Sequence, residues 1–345
     1  MRIAIGSNTT NNSFGGGNQF ANNLIDFLKE NQHSVSTNLK NKDIDIILIT
    51  EPRKYLSISS FSLIDALNYK YKINKKVKIL LRVNENDQRK NTYFMNIIIR
   101  FCIKYCDHVI FISNYLNEIF KIKKDYTIIH NGANHNIFKK KEIKNNEKDL
   151  IKVVTHHWSA NYQKGFDIYK YIDEKQTKEN DIKICFTYIG NLPKKFKFKN
   201  SNHINPLHGN ELSEELNKHD IYITASKNEP AGMHHIEAAC CGLPILYYDS
   251  GALPEYCNKY GIKFNKDNLF SKIQLLYKDI DKYKETLKEY PFTSKNSNKK
   301  YLEVFNNLLK KKSFYKIKFY QLLKVYFLLN TYIFLHRLTS KILKK

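Results

Sequence analysis

Short apolar segments without polar alternation recur along the first half of this chain, and stretches with helical periodicity separate them. The predicted strands cover residues 3–6, 44–50, 77–83, 109–113 and 127–130. A strand that is apolar throughout is buried on both faces, and helices between such strands are typical of a parallel sheet. The first half is therefore predicted to form an α/β domain.

The same alternation starts again after a charged stretch that contains few apolar residues. Further strands are predicted at residues 151–155, 182–189, 221–224 and 245–248. The 345 residues suffice for two domains of about 150 residues each. We expect an N-terminal domain over residues 1–138, a linker over residues 139–150 and a C-terminal domain over residues 151–311.

Residues 312–345 differ from both halves because aromatic and aliphatic side chains are interleaved with lysines. The longest apolar run, residues 325–335, is broken by Asn330 and Thr331 and is too short to span a bilayer. We predict a basic, aromatic helical tail. Two roles remain open for it: packing on the N-terminal domain, or lying in the interface of an anionic membrane.

The composition is strongly basic, with a formal net charge of +24. That charge is compatible with nucleic acid, an anionic membrane or anionic substrates, although the Lys, Asn, Ile and Tyr content of an AT-rich genome explains part of it. The six cysteines form no C-x2-C pair, so we expect neither disulfides nor a metal site, and a reducing, cytoplasmic compartment. Residues 1–5 already have the pattern of a core strand, so no signal peptide is expected.

Two carboxylates, Glu229 and Glu237, flank the junction between a predicted strand and a predicted helix. The helix is expected from Gly232 to Cys241, and Pro230 favours an extended backbone at Glu229. Glu229 then lies in the loop before the helix, and Glu237 lies one turn inside it.

The first amides of this helix belong to residues 231–233 and point into the crevice at the carboxyl end of the strand. Such a site suits a ligand with hydroxyls for the carboxylates and a negative group for the helix start. A sugar joined to a nucleoside diphosphate has both.

Two other segments follow predicted strands. Gly15, Gly16 and Gly17 precede the first helix, where glycines let the backbone approach a ligand; the pattern is not G-x-G-x-x-G, and a flexible loop is the alternative. Lys164-Gly165 follows the first strand of the second half, where a lysine supplies a mobile positive charge for phosphate oxygens.

The Glu229/Glu237 pair, with Ser226 before it and residues 243–246 and 250–255 after it, resembles the E-x7-E element of retaining glycosyltransferases of family 4. The resemblance covers about residues 1–310. It implies the α/β fold called GT-B, in which two Rossmann-like domains face each other across a cleft.

The resemblance also implies roles for individual residues. Glu237 would accept hydrogen bonds from the ribose hydroxyls, Glu229 would hold a hydroxyl of the donor sugar, and Lys164 would stabilise the leaving diphosphate. Further contacts to the nucleotide sugar are expected from the backbone of Gly16, Gly17, Ala231, Gly232 and Met233.

Two segments depart from the family pattern. Where an arginine is expected beside the Lys-Gly pair, this chain has Trp158 or Ser159; His157, Ser159 or Asn161 could replace it, and helix–loop packing is the alternative for the histidines. Where many members have a histidine near the reacting sugar, this chain has Asn84 and Glu85, which we assign to the acceptor unless they form a solvated loop.

A metal site is not expected. Asp43-Ile44-Asp45 spells the D-x-D signature of another glycosyltransferase fold, but it lies at the start of a strand rather than at its carboxyl end. No cofactor is expected either, because the nucleotide sugar is itself a substrate.

The sequence therefore predicts a retaining, metal-independent hexosyltransferase of polysaccharide biosynthesis that uses a nucleotide-diphospho-sugar. Its partners would be this donor, a glycan or lipid-linked acceptor and, through the tail, an anionic membrane surface. The alternatives are a nucleotide-sugar epimerase of the same fold and, from another class, a basic nucleic-acid-binding protein. We expect no nucleic-acid partner, because that alternative leaves Glu229 and Glu237 unexplained.

Overall fold

The structure is a computed structural model that describes residues 1–9, 15–54, 56–141, 150–176, 183–311 and 317–342. The chain forms two compact units. The first contains Met1–His130 and Ser297–Lys345, and the second contains Asn131–Asn296.

The first unit is built on a parallel sheet of six strands in the order β2-β1-β3-β4-β5-β6. The strands are β1 (Arg2–Ile5), β2 (Ser34–Ser36), β3 (Ile46–Ile49), β4 (Lys78–Val83), β5 (His108–Phe111) and β6 (Tyr126–Ile128). The helices between them are α1 (Gly16–Glu30), α2 (Leu63–Lys72), α3 (Met95–Ile103) and α4 (Asn114–Phe120). Every residue of β3, β4 and β5 is buried, as expected for strands that helices cover on both faces.

The second unit repeats this architecture with the strand order β12-β11-β10-β7-β8-β9, again fully parallel. Its strands are β7 (Leu150–His157), β8 (Lys183–Gly190), β9 (Asn202–Ile204), β10 (Ile221–Thr224), β11 (Ile245–Tyr248) and β12 (Gly261–Phe264). Its helices are α5 (Phe166–Lys175), α6 (Gly209–Leu216), α7 (Met233–Cys240), α8 (Leu253–Cys257), α9 (Leu269–Lys278) and α10 (Ile280–Leu287), and a short 3-10 helix covers Tyr162–Lys164. The predicted α/β class is confirmed in both units.

The chain then returns to the first unit through α11 (Ser294–Lys310) and α12 (Phe319–Ile342). Tyr301, Phe305 and Leu308 of α11 are buried in the core of the first unit, together with strand residues such as Ile5 and Leu48. This packing explains why the chain returns to the first unit after Asn296. The first change of unit follows His130, whereas the sequence pattern suggested boundaries after residues 138 and 311. Most of the predicted linker, residues 142–149, lies outside the described residues.

The tail packs on the first unit, which was one of its two expected roles. Helix α12 contacts α2 and α3, and the ring of Tyr332 meets the ring of Phe101 edge-on with centroids 5.8 Å apart. Among the described residues, no helix combines the length and the apolar character needed to cross a membrane.

Candidate functional site

Ionisable side chains of the second unit lie close together where its central strands end. β7 ends in His156 and His157, and the neighbouring β10 is followed by the loop that leads to α7. The carboxyl edge of a parallel sheet is where proteins of this architecture bind their ligands. Glu229 and Glu237 both lie near this edge, where they contact Lys164 and His156 respectively.

Lys164 and Glu229 form a buried ion pair between Nζ and Oε2. Lys164 is 8 % exposed and Glu229 is 2 % exposed. Two opposite charges out of water are stable together only when they are paired and hydrogen-bonded. The sequence assigned both residues to the donor, and the structure adds that they contact each other.

Gly165 brings Lys164 to the end of β10. Its φ is +94°, and a Cβ on it would lie 2.6 Å from the carbonyl oxygen of Ala225. Only glycine fits both this backbone conformation and this close approach. The 3-10 helix that ends at Lys164 is therefore held against the loop that carries Glu229.

The loop of Glu229 is fixed from the other side by residues 250–252. The carbonyl of Glu229 accepts a hydrogen bond from the amide of Ala252 at 2.8 Å, and the amide of Asn228 donates to Ser250 Oγ at 2.9 Å. Gly251 has a φ of +63°, and a Cβ there would lie 2.5 Å from the Glu229 amide nitrogen. The Ser-Gly-Ala sequence thus holds the backbone that positions the carboxylate.

Glu237, on α7, is 3 % exposed and bonds His156 Nε2 through Oε2 at 2.8 Å. Its other oxygen, Oε1, is buried and has no hydrogen-bond partner within the described part of the chain. A buried carboxylate oxygen that accepts nothing costs free energy unless a ligand donates to it. This oxygen is available to a ligand that donates a hydrogen bond, and its contact with ribose hydroxyls stays a prediction.

Four histidines surround the two carboxylates. The His157 and His234 rings lie 4.5 Å apart between centroids, and the His234 and His235 rings 4.9 Å apart. His157 Nε2 lies 2.7 Å from the Tyr169 hydroxyl. Burial lowers the pKa of His157 and His234 well below its usual range and lowers that of His235 to about 3. These three imidazoles are therefore neutral near pH 7.

His156, His234 and His235 received no individual role from the sequence. His235 is fully buried, and neither of its ring nitrogens has a hydrogen-bond partner among the residues that the structure describes. The signal that could have found His234 and His235 is their position inside the E-x7-E segment, where apolar residues would suffice for packing alone.

The start of α7 brings together the three residues expected to present amides. Gly232 is the N-cap, with the extended backbone that this position requires, and Ala231 and Met233 are buried on either side of it. The Ala231 carbonyl accepts a hydrogen bond from Asn131 Nδ2 at 3.0 Å, and a Cβ on Gly232 would lie 3.2 Å from the carboxyl carbon of Glu229. The helix start and the first carboxylate therefore belong to one site.

The segment that replaces the expected arginine forms a structured loop. Ser159 Oγ accepts from the Asn161 amide at 3.3 Å, and Asn161 Oδ1 caps the 3-10 helix by accepting from the Gln163 amide at 2.8 Å. Trp158 is 48 % exposed, and its carbonyl accepts from Asn191 Nδ2. His157 ends β7, and Ser159 lies in the loop that leads from this strand to Lys164. Their contact with the donor remains a prediction.

The glycine loop of the first unit leads into α1. Gly16 is the first residue of this helix, and a Cβ on Gly17 would meet no atom within 4 Å. Gly15 precedes them with a φ of +80°. The helix start is thus open, although residues 10–14 before it lie outside the described residues.

Asn84 and Glu85 follow β4 at the carboxyl edge of the first sheet. Asn84 is half-buried, whereas Glu85 is buried and pairs with Arg89 at 3.2 Å and with Lys90 at 2.9 Å. Burial raises the pKa of the Glu85 carboxyl, but these two cations outweigh it, so that the pKa lies below its usual value. Glu85 is therefore an ionised, partnered group, and its role toward an acceptor remains a prediction.

Glu51 and Arg53 form a second charged group at this edge, which was not predicted from the sequence. Arg53 donates from Nε and Nη2 to the two oxygens of Glu51 at 2.7 and 2.8 Å, and its Nη1 lies 2.8 Å from Nε2 of His336. Glu51 and Arg53 come just after β3, a position that could have drawn attention to them. No local pattern indicates that His336, on α12, joins them.

The aspartates of the D-x-D segment both pair with Arg2. Asp43 forms an ion pair with its guanidinium, and Asp45 Oδ2 accepts from its amide at 2.8 Å. Both lie near the start of β3, away from its carboxyl end. The described part of the chain contains no cluster of His, Cys, Asp and Glu that could hold a metal ion.

Residues 133–290 match the family model described as "Glycosyl transferases group 1". This range makes up most of the second unit. The matched range contains Lys164, Glu229 and Glu237. The match confirms the predicted enzyme class, a sugar transferase. No curated protein sequence matches the chain.

Solved structures similar to this chain share its fold over both units. HepE of Anabaena, determined in complex with UDP, has a TM-score of 0.66 at 12% identity, over 89% of this chain and 99% of that one. Sucrose-phosphate synthase of Thermosynechococcus elongatus has a TM-score of 0.63 at 12% identity, over 89% and 99%. A glycosyltransferase of Rickettsia africae has a TM-score of 0.61 at 13% identity, over 90% and 99%. The predicted GT-B fold is thereby confirmed.

Proposed function

We propose that the chain is a retaining glycosyltransferase of family 4 that moves a sugar from a nucleotide-diphospho-sugar to a glycan or lipid-linked acceptor. The observation that carries the proposal is the buried Lys164–Glu229 ion pair at the start of α7, within the range that matches the family model. A charge pair of this kind, beside helix amides and a second carboxylate, suits the charge distribution of a nucleotide-diphospho-sugar.

The donor would be held by groups that complement its two parts. Glu237 Oε1 would accept from the ribose hydroxyls, and Glu229 would accept from a hydroxyl of the sugar. UDP is the first nucleotide to test, because the similar HepE of Anabaena was determined in complex with it. His157, Ser159, Gly16 and Gly17 complete the predicted donor contacts.

Lys164 and the amides at the start of α7 would stabilise the diphosphate as it leaves. Negative charge grows on that group while the sugar becomes an oxocarbenium-like species. Groups that are already oriented toward the growing charge lower the barrier most. Because a lysine and a helix start supply this positive charge, the proposed reaction needs no metal ion.

Retention of configuration follows if the leaving phosphate accepts the acceptor's proton on the same face of the sugar. No separate protein base is then required, and neither carboxylate has to take the acceptor's proton. Asn84 and Glu85 would contact the acceptor. The nucleotide-sugar epimerase is the second candidate, since it would use the same donor site.

We infer a cytoplasmic location from the six cysteines, none of which forms a disulfide in the described part of the chain. With a lipid-linked acceptor, the enzyme would work peripherally at a membrane surface. A role in polysaccharide biosynthesis is part of the same proposal, and no nucleic-acid partner is expected.

The proposal is tested by incubating the protein with a panel of nucleotide sugars and candidate acceptors and determining the product by NMR. The proposed function requires a glycoside whose anomeric configuration equals that of the donor. A product with inverted configuration would contradict the retaining mechanism, and an epimerised nucleotide sugar would establish the second candidate instead.

A further inference from the structure

Helix α12 carries two apolar stripes on opposite sides, and the residues that the structure describes elsewhere in the chain cover only one of them. The covered stripe follows helical spacing through four buried residues, Leu322, Val325, Leu329 and His336. The second set, here called the outer stripe, is also spaced by three, four or seven residues: Tyr320, Leu323, Phe327, Phe334 and Leu338. Residues of the outer stripe are between 44% and 66% exposed.

Contacts on the covered side fix which way the outer stripe points. His336 Nδ1 donates to the carbonyl of Tyr93 at 2.6 Å, and its Nε2 meets Arg53. At the start of the helix, the ring of Phe319 lies 6.3 Å from the ring of Tyr71. The helix is thus held at both ends, and it cannot rotate to bury the outer stripe without breaking these contacts.

An apolar stripe that remains exposed on a fixed helix indicates an interaction surface. A helix that is apolar on both sides is normally buried on both sides. Large exposed apolar patches with charged surroundings mark contacts with proteins or membranes. The question is which partner suits the surroundings of this stripe.

The charge of α12 is of one sign. Residues 319–342 contain Lys324, Arg337 and Lys341 and no Asp or Glu. Lys324 and Lys341 lie beside the outer stripe on the exposed side of α12. A second copy of this chain would bring these three cations against the same three, which disfavours a dimer through this face. A nucleic acid would satisfy the lysines but not the apolar side chains between them.

We propose that the outer stripe of α12 inserts into the interface of an anionic lipid membrane. The helix would lie in the plane of the membrane, with Phe327 and Phe334 at the boundary of the acyl chains and Lys324 and Lys341 at the anionic headgroups. The covered and outer stripes would then act together, because the same helix docks on the first unit and on the lipid. The inference rests on the proposed function only for its purpose, which is to bring the enzyme to a lipid-linked acceptor.

The test is flotation of the full chain with vesicles of two compositions. We expect binding to vesicles of phosphatidylcholine mixed with phosphatidylglycerol and little binding to phosphatidylcholine alone. Phe327→Ser with Phe334→Ser should reduce the apparent partition constant by about tenfold or more, because two phenylalanines no longer leave water. Lys324→Gln with Lys341→Gln should reduce it by about fivefold for each lysine.

A matched control distinguishes binding through the outer stripe from nonspecific binding of exposed apolar residues. Ile58 and Ile73 are 55% and 50% exposed on other parts of the first unit, so Ile58→Ser with Ile73→Ser should leave flotation unchanged. Equal binding to both vesicle types, or no binding to either, would overturn the proposal. Light scattering that shows a dimer for the unaltered protein and a monomer for the double phenylalanine variant would also overturn it.

Failure of this proposal is distinguishable from failure of the proposed function. Binding of nucleoside diphosphates to the second unit is measured in the absence of vesicles. A protein that binds a nucleotide but no vesicle keeps the donor site and loses the membrane role.

Discussion

Lys164 and Glu229 lie 65 positions apart in the sequence, and their side chains form an ion pair that is almost fully buried. A glycine helps to position each partner: Gly165 follows Lys164, and Gly251 packs against the backbone of Glu229. The pair therefore joins the two segments that the sequence assigned separately to the diphosphate and to the sugar.

Breaking this pair should destabilise the second unit. In Glu229→Gln, Lys164 loses a carboxylate partner inside the protein, so the free energy of unfolding should fall by about 3–5 kcal/mol. The measurement is urea unfolding monitored by circular dichroism. Adding Lys164→Met to this variant should restore part of the loss, since no buried charge then remains; purely additive losses would show that the two residues are not coupled.

Removing the charge of Glu237 should weaken nucleotide binding. Glu237→Gln retains the shape of the side chain but replaces a charged acceptor, which is worth about 1.5–3 kcal/mol. Calorimetric titration with UDP and GDP measures this difference. Glu214→Gln is the control, because the side chain of Glu214 is 61% exposed. Unchanged affinity in Glu237→Gln would remove the ribose role from this residue.

Gly251 should tolerate a side chain far less than Gly209, another glycine with a positive φ. Both Gly251→Ala and Gly209→Ala place alanine at a positive φ, +63° and +54° respectively. A Cβ at Gly209 meets no atom within 4 Å, whereas one at Gly251 meets the backbone of Glu229. Gly209→Ala should cost about 1 kcal/mol of stability through backbone strain alone. Gly251→Ala should cost more stability than Gly209→Ala and should also reduce UDP binding. Equal losses of stability in the two variants would argue against the role of Gly251 in holding the Glu229 backbone.

The buried histidines predict that stability falls in acid. Burial lowers the pKa of His235 from 6.5 to about 3, so between these values the unfolded chain binds a proton that the folded chain does not. The free energy of unfolding should therefore fall as the pH drops through this window, by about 1.4 kcal/mol per pH unit for this residue. Urea unfolding at several pH values should show a shallower dependence for His235→Phe. The exposed His135→Phe serves as the control, and an unchanged slope in His235→Phe would contradict the assignment.

Much of the fold could be predicted because the buried strands are short and continuously apolar. Residues 44–50 were predicted as a strand and β3 covers Ile46–Ile49; the helix predicted over 232–241 is α7, Met233–Cys240. Strands such as β2 and β9 were missed because they are three residues long, lie at the sheet edges and contain no buried residue. The return of α11 to the first unit was missed because a helical stripe such as Tyr301–Phe305–Leu308 does not indicate which core it enters.

The candidate site was predictable in its motif but not in its contacts. Glu229, Glu237 and Lys164 stand out by spacing and by their positions after strands. The hydrogen bond between His156 and Glu237 links residues 81 positions apart, and nothing local in the sequence indicates it. The same holds for Arg53 and His336, which are 283 positions apart.

The central claim is that the edge of β7 and β10 binds a nucleoside diphosphate, and ligand-dependent unfolding tests it most directly. The full chain is unfolded by heat in the presence of UDP, GDP, ADP and the corresponding nucleosides. A matching diphosphate at about 100 times its dissociation constant should stabilise the protein by about 2.7 kcal/mol. We expect stabilisation by at least one diphosphate, none by its nucleoside at the same concentration, and loss of the effect in Lys164→Ala. No stabilisation by any nucleoside diphosphate, or equal stabilisation of Lys164→Ala, would contradict it.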